Sequence, residues 1–481
     1  EVTVDTTGDD LQAAFDAYPC AKINLATGDY TRSSGCFTIQ NAIWLAGVES
    51  NPGAAKLRIS TSDAAKAIYV LVVSNDLAKV SNVLVSNKGS TANGSNGAIW
   101  LWKGLVDGCV VTNCSCATGS GTRLGAGGSL RMEGGTVRNT LVTHCTHNRY
   151  CGGGISVLTA DCLVENCRVH KCNAGGYANT FGGGIFASAG RVRNCLVTDC
   201  TAYQDGFGIY VGNATVENCT VVNCKSSNAA TGGGIGLGSK VYSGTSVGDG
   251  RPHGEVRNCI AVGCTNTSGS DDSDIVISYA AGLVENSDSV LPVLDPDKGN
   301  VSVDPAFDTD YSLKDRTLCV DGGQLLGWMG WTPDLAGNAR VQGPAPDMGC
   351  FERAASTKLE CWIDKVETLD GGIDTATVRL TAGVEGDATG ADYSWTVTDQ
   401  SGTVLAATNG TDCAVVGVSL DRAGDFTIAL IVKKGQGEPA IASPVAYSIK
   451  ASVVYLNAEG SDVQPYATRE SHIRSTMRWR S

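Results

Sequence analysis

The chain has 481 residues, among them 61 Gly and 20 Cys, with 6% aromatics and a net charge of −13. That length is too great for one ordinary domain, and the acidic balance argues against a nucleic-acid partner or an anionic membrane surface, both of which need a basic face. No apolar run approaches the ~18–20 residues of a membrane helix, and excess Gly without collagen spacing points to the tight turns of an all-β protein.

The first residue is Glu1, which fits a mature exported chain freed of its signal, or a trimmed one. Residues 10–18 (DLQAAFDAY) place Leu11, Ala14 and Phe15 on one helical face and read as an N-terminal cap. Residues 22–30 (KINLATGDY) read as a first strand and turn.

One unit then recurs: a Gly-rich start, an Ile-x-Val-like strand, and V-x-N-C-x-V-x-x-C. Its clearest copies span residues 164–172, 192–200, 216–224 and 256–264. Asn139, Asn166, Asn194 and Asn218 are 27, 28 and 24 residues apart, and the next step, to Asn258, is 40 because of an insertion. This period predicts a right-handed, three-sheet parallel β-helix over residues 1–353, each coil stacked on the last.

The asparagines should form a ladder at a sharp bend, since Asn tolerates left-handed φ. Cys109, Cys167, Cys195, Cys219 and Cys259 should point inward after it. A second column, Cys114, Cys145, Cys172, Cys200, Cys224 and Cys264, can face inward only if the chain kinks at the two polar residues before it, such as Thr198-Asp199.

The C-x4-C spacing and the presence of only five His reject zinc. Two readings of the columns stay open: small apolar side chains that stack well, or disulfides between rungs ~4.8 Å apart. In-register parallel side chains rarely reach disulfide torsions, so mostly free thiols are expected. Cys20 with Cys36, and Cys319 with Cys350, lie outside the columns and are better disulfide candidates.

The opening helix, strand and Gly-containing turn resemble the start of pectate-lyase-like β-helices. That resemblance implies a ligand on the outer face of the first strand's sheet. The outward residues there read Tyr69, Trp100, Arg131, Ser156, Phe186, Tyr210 and Gly236, and the next row begins Leu71, Trp102, Glu133. This is an aromatic stripe in an aromatic-poor chain. It reads as a saccharide-stacking surface, as a face covered by loops, or as the ordinary liking of aromatics for β-structure.

Loops entering the face add His147, Arg149, Tyr150, Tyr177, Tyr203 and Asp205. The insertion at residues 239–254, with Lys240, Tyr242, Asp249, Arg251 and His253, is placed to fold over it. Together these groups are polar enough for an acidic glycan.

Catalysis has thinner support. Glycoside hydrolysis needs two carboxylates flanking one bond, and the stripe offers Glu133, with Asp205 some rungs away. A lyase would need a base, for which Arg131 beside Glu133 is the candidate. Asp271, Asp272 and Asp274 share one loop that suits either Ca²⁺ or plain solvation. No other cofactor is expected.

Residues 303–352 contain D-P-x-F, D-x-x-G-N-x-R and D-x-G-x-x-E segments ending at Glu352. They resemble the closing segment of bacterial surface β-helix proteins of the choice-of-anchor Q type, which implies export to a bacterial surface and no reaction. The GG-[AG]-I and x-x-N elements resemble repeats of chlamydial polymorphic outer membrane proteins, which are adhesins.

After a linker at residues 354–358, residues 359–450 show short alternating strands around Trp395 and resemble a PKD or immunoglobulin-like β-sandwich. Residues 451–481 read as a tail or as the start of a further β-helix cut short, ending in a basic, patternless stretch. The expected function is a non-catalytic stalk or adhesin that meets a glycan or cell-surface partner through the stripe. The alternative is a polysaccharide lyase or glycoside hydrolase on the same face.

Overall fold

A computed structural model describes residues 1–449 except residues 5–7, 60–68, 89–96, 117–124, 148–149, 177–179, 229–231, 244–245, 250–253, 268–273, 279–281, 290–293, 314–316, 355–358, 372–374, 387, 412 and 436. The tail at 451–481 and the linker residues 355–358 lie outside the described residues. The chain divides into two compact units, Glu1–Arg353 and Ala354–Ser481.

The first unit is a parallel β-helix. One strip of its wall stacks the strands Phe37–Ile39, Tyr69–Val73, Gly97–Leu101, Leu130–Met132 and Ile155–Val157. A second stacks Lys22–Leu25, Trp44–Ala46, Lys79–Ser81, Leu105–Asp107, Gly135–Arg138 and Cys162–Glu165. Both strips join in the long strands Ile185–Arg193 and Ile209–Glu217. A third runs from Gly28–Arg32 through Val110–Cys116 and Arg168–His170 to Ile260–Val262.

The helix Gly8–Ala17 closes the first rung. Leu11, Ala14 and Phe15 are buried. Gln12 takes the place of a missing neighbour strand: its Nε2 donates to Thr38 O (3.2 Å) and its Oε1 accepts from Thr38 N (2.8 Å).

The bends explain the repeat letters. Asn82, Asn139, Asn166, Asn194, Asn218, Asn258 and Asn286 all have left-handed φ, between 46° and 56°. A second left-handed residue precedes each Cys of the second column: Asn113, His144, Lys171, Asp199, Asn223 and Gly263. That residue breaks the alternation and turns the thiol inward, so both columns are buried.

The columns interlock with glycines. A Cβ on Gly154, Gly184 or Gly208 would come within 3.2, 3.2 or 3.0 Å of the Sγ of Cys172, Cys200 or Cys224. A larger residue than Cys would have no room.

The described cysteines carry free thiols. The two expected disulfides do not form, because each thiol is held in separate surroundings. Cys20 is exposed, while Cys36 Sγ lies 3.6 Å from Thr38 Oγ1. Cys319 packs with Ile260 and Met348 and donates to Asp288 Oδ2 (3.5 Å), whereas Cys350 packs with Leu196 and Phe351.

An unexpected row lies one residue before the asparagines. In register along the wall stand Asp107, Arg138, Glu165, Arg193, Glu217, Arg257 and Glu285, with signs alternating at every rung. Arg138 pairs with Asp107 at 2.9 Å, Arg193 with Glu165 at 2.7 Å and Arg257 with Glu285 at 3.3 Å.

The closing segment doubles back along this edge as a strap. Asn194, Asn218 and Asn258 donate from Nδ2 to the carbonyls of Pro333 (2.8 Å), Asp347 (3.1 Å) and Gln324 (2.8 Å). Trp328 Nε1 donates to Glu217 (2.7 Å) and its ring lies under Arg193. Within the strap, buried Arg340 donates to the carbonyls of Asp347 and Gly349 and pairs with Glu352 at 3.0 Å. Asp334 accepts from the backbone N–H of Ala336, Asn338 and Glu352. The Asp, Arg and Glu of the closing motif are therefore structural.

The second unit is a β-sandwich. Glu360–Gly371, Ala376–Glu385 and Val415–Leu420 form one antiparallel sheet. Val404–Thr411, Asp392–Asp399 and Gly424–Lys433 form the other, with two short strands at its edge. Trp395 is buried between them, its Nε1 donating to Cys413 O (3.1 Å).

Candidate functional site

The outer face of the first strip carries the aromatic row. Trp100, Arg131, Ser156, Phe186, Tyr210 and Gly236 stand in register on successive rungs. Tyr69 does not belong to that row: it pairs with Gly97, and Val72 stands beside Trp100. The cause is the inward pair Leu71 and Val73, which stacks on Phe37 and Ile39 and fixes the strand three residues further on. Leu71 is thus core, not surface. The Tyr69 ring still reaches Trp100, centroid to centroid 5.5 Å, because Gly97 has no side chain to obstruct it.

The row divides into a covered half and an open half. Ser156, Phe186 and Tyr210 are buried despite pointing outward. Phe186 and Tyr210 stack at 5.5 Å, with Phe181 against Tyr210 at 4.8 Å. The cover is shared by Cys151 and Phe181, which join the same cluster, and by the insertion, a hairpin of Lys240–Ser243 and Ser246–Asp249. Its Lys240 N donates to Tyr210 Oη (2.8 Å) and its Tyr242 N to Ser188 Oγ (2.6 Å). Phe186 and Tyr210 are therefore packing residues, and the expectation that they contact a ligand is corrected.

The open half centres on Trp100 and Trp102, whose rings lie 4.9 Å apart. Trp102 is 41% exposed and Trp100 half-buried. Arg131 lies over Trp100 at 5.0 Å and over Tyr242 at 5.4 Å. Its Nη2 donates to Glu133 Oε1 (2.6 Å) and to Tyr242 Oη (2.7 Å), and Nε also reaches Glu133 (3.0 Å). Burial disfavours the Arg131 charge, but Tyr69, Tyr242 and Glu133 outweigh it and hold its pKa above the usual guanidinium value. These neighbours hold Arg131 as a cation.

Asp205 is not in this cluster. It is buried at the rung of Tyr210 and Gly236, where it accepts from Gly206 N (2.7 Å), Gly233 N (2.9 Å) and Ser278 Oγ (3.0 Å). Burial raises its pKa, partly offset by those donors. It pins the glycine turns together, about three rungs or ~14 Å from Arg131. A hydrolytic carboxylate pair needs roughly 5–9.5 Å, so Asp205 cannot partner Glu133.

Tyr203 follows the short strand Thr201–Ala202 of the third strip and is half-buried. Tyr150 starts the strand Tyr150–Cys151, but its side chain lies outside the described residues, as do Arg149, Tyr177, Arg251, His253, Asp271 and Asp272. His147 points into the core, with Nε2 3.1 Å from Ser129 Oγ; burial pulls its pKa down to about 4. Asp274 is buried and accepts from Cys264 N (2.9 Å).

The insertion with Tyr242 lies over the face as the sequence suggested, and the contact of Tyr242 Oη with Arg131 is what the sequence did not indicate. A comparison with protein-family models and with curated proteins found no match.

Proposed function

We propose that this chain is an exported cell-surface β-helix protein that binds glycans without chemistry, through the tryptophan pair at the open half of its aromatic row. The observation that carries the reading is the half-exposed indole of Trp102, stacked near Trp100 and bordered by the Arg131–Glu133 pair. An indole face takes the C–H face of a sugar, while a carboxylate and a guanidinium at its edge take hydroxyls. The closing-segment resemblance to choice-of-anchor Q proteins and the immunoglobulin-like character of the second unit support surface display. They make the β-helix a presenting stalk.

An enzymatic reading loses ground on geometry: Arg131 is committed to Glu133 and Tyr242, and Asp205 is buried elsewhere. The test is a glycan array with the wild-type chain and Trp102→Ala. Retained ligands should weaken at least ~10-fold in the variant, about 1.4 kcal/mol. Unchanged binding by Trp102→Ala removes the proposed site. Polymer cleavage abolished by Glu133→Gln would replace binding with catalysis.

A further inference from the structure

The hairpin that helps bury Phe186 and Tyr210 does more than cover them. It is anchored at Tyr210 through Lys240 N and at Ser188 through Tyr242 N, and its Tyr242 hydroxyl meets Arg131. In register order, Arg131, Ser156, Phe186 and Tyr210 are successive rungs, so the insertion spans about three rungs, ~14 Å. The row is thereby blocked along the helix axis immediately beyond Arg131, while Trp102 on the other side keeps 41% of its surface open. A long polymer lying along the row would have to pass through Tyr242.

The charges at the wall are equally informative. Arg131 is neutralised by Glu133 at 2.6 Å, and its guanidinium carbon lies 5.0 Å from the Trp100 ring and 5.4 Å from the Tyr242 ring. Because Glu133 already neutralises the guanidinium, a ligand carboxylate would meet no net positive charge there and would lie close to a like charge. The whole chain carries −13, which adds to the repulsion of a polyanion. Hydroxyls face no such conflict, since they carry no charge and can donate to the Glu133 carboxylate while that ion pair stays intact.

Building on the glycan-binding reading above, we infer that the site takes the terminal residues of a neutral polysaccharide, stacked on Trp102 with their hydroxyls on the Arg131–Glu133 pair and the chain leading away from Tyr242. This reverses the expectation of an acidic glycan.

The experiment titrates the full chain with xylo-, manno- and cello-oligosaccharides of increasing length, with oligogalacturonides as the acidic comparison, followed by calorimetry. A neutral series should bind with an affinity that stops rising after a few residues, and with one protein per chain end on the longest polymers. Trp102→Ala should weaken this at least 10-fold. Replacing residues 240–249 by a short Gly-Ser turn should let stoichiometry rise with polymer length; Tyr242→Ala, which leaves the hairpin in place, should move it the same way.

Tighter binding of the oligogalacturonides, or wild-type stoichiometry that already grows with length, overturns the neutral-terminus inference while leaving glycan binding at Trp102 standing. Failure of every series to bind overturns both.

Discussion

Asn218 shows how one residue type serves two needs at once. It sits at φ 48°, and its amide donates to the strap carbonyls of Asp347 and Gly349. Left-handed backbone costs an L-residue about 1–2 kcal/mol, and each lost amide hydrogen bond about 0.5–1.5 kcal/mol, since Arg340 still donates to both carbonyls. Asn218→Ala should therefore lower unfolding free energy by about 2–4 kcal/mol in urea titration. Asn218→Gly should lose about 1 kcal/mol less, because Gly meets the backbone need but not the amide. Equal losses would show that the bend carries no strain. The glycine and thiol columns give a second test. Gly234→Ala would drive its Cβ into Cys264 and should cost about 1–3 kcal/mol, with a double variant carrying Cys264→Ala less destabilised than the two single losses added. These residues were legible beforehand because each bend and each inward position makes a local demand that recurs at every turn. Phe186 and Tyr210 were misread for the opposite reason: alternation places them outward, and the neighbouring Phe181 together with a hairpin 30 residues beyond Tyr210 buries them.

Among the elements, the alternating charge row and the strap behave differently along their length. Arg193 and Glu165 are nearly buried, with side-chain exposures of 9% and 11%, whereas Arg138 is 41% exposed. Removing one partner of a buried pair costs about 3–5 kcal/mol, but an exposed pair is worth at most ~1 kcal/mol. Arg193→Ala should thus destabilise strongly and Arg138→Ala barely, by the same urea titration. Similar losses would mean the row acts through solvent rather than packing. From Arg138 onward the row is visible in the letter between Val and Asn of each repeat, yet its meaning depends on register, which a list of repeats does not reveal. The strap adds a pH dependence. Burial pushes Asp288 up to about 7, Asp347 to about 6 and Glu352 to about 8. The folded chain therefore holds protons that the unfolded chain, with carboxyls near 4, releases. The contribution of these groups is most favourable below about pH 4 and is lost as pH rises from there toward 8. The urea midpoint should fall between about pH 5 and pH 8, and Glu352→Gln should flatten that fall. A midpoint that climbs across the window contradicts the assignment.

At the scale of the whole molecule, two compact units with separate cores predict two calorimetric transitions. Residues 1–353 expressed alone should keep the upper or lower one intact, together with the tryptophan site. One indivisible transition would show that neither core is self-sufficient. The β-helix core also decides how the chain meets an oxidant. An unfolded chain offers 20 thiols at once, and closing the rungs removes both columns from solvent. Burial pushes the Cys109 thiol up to about 12, so little nucleophilic thiolate remains at that position. Disulfide chemistry takes seconds to hours, so coil-by-coil closure faster than that shields the chain from scrambling. Newly made protein trapped before closure would become a cross-linked aggregate, while the finished wall keeps its sulfur reduced without any reductase to maintain it.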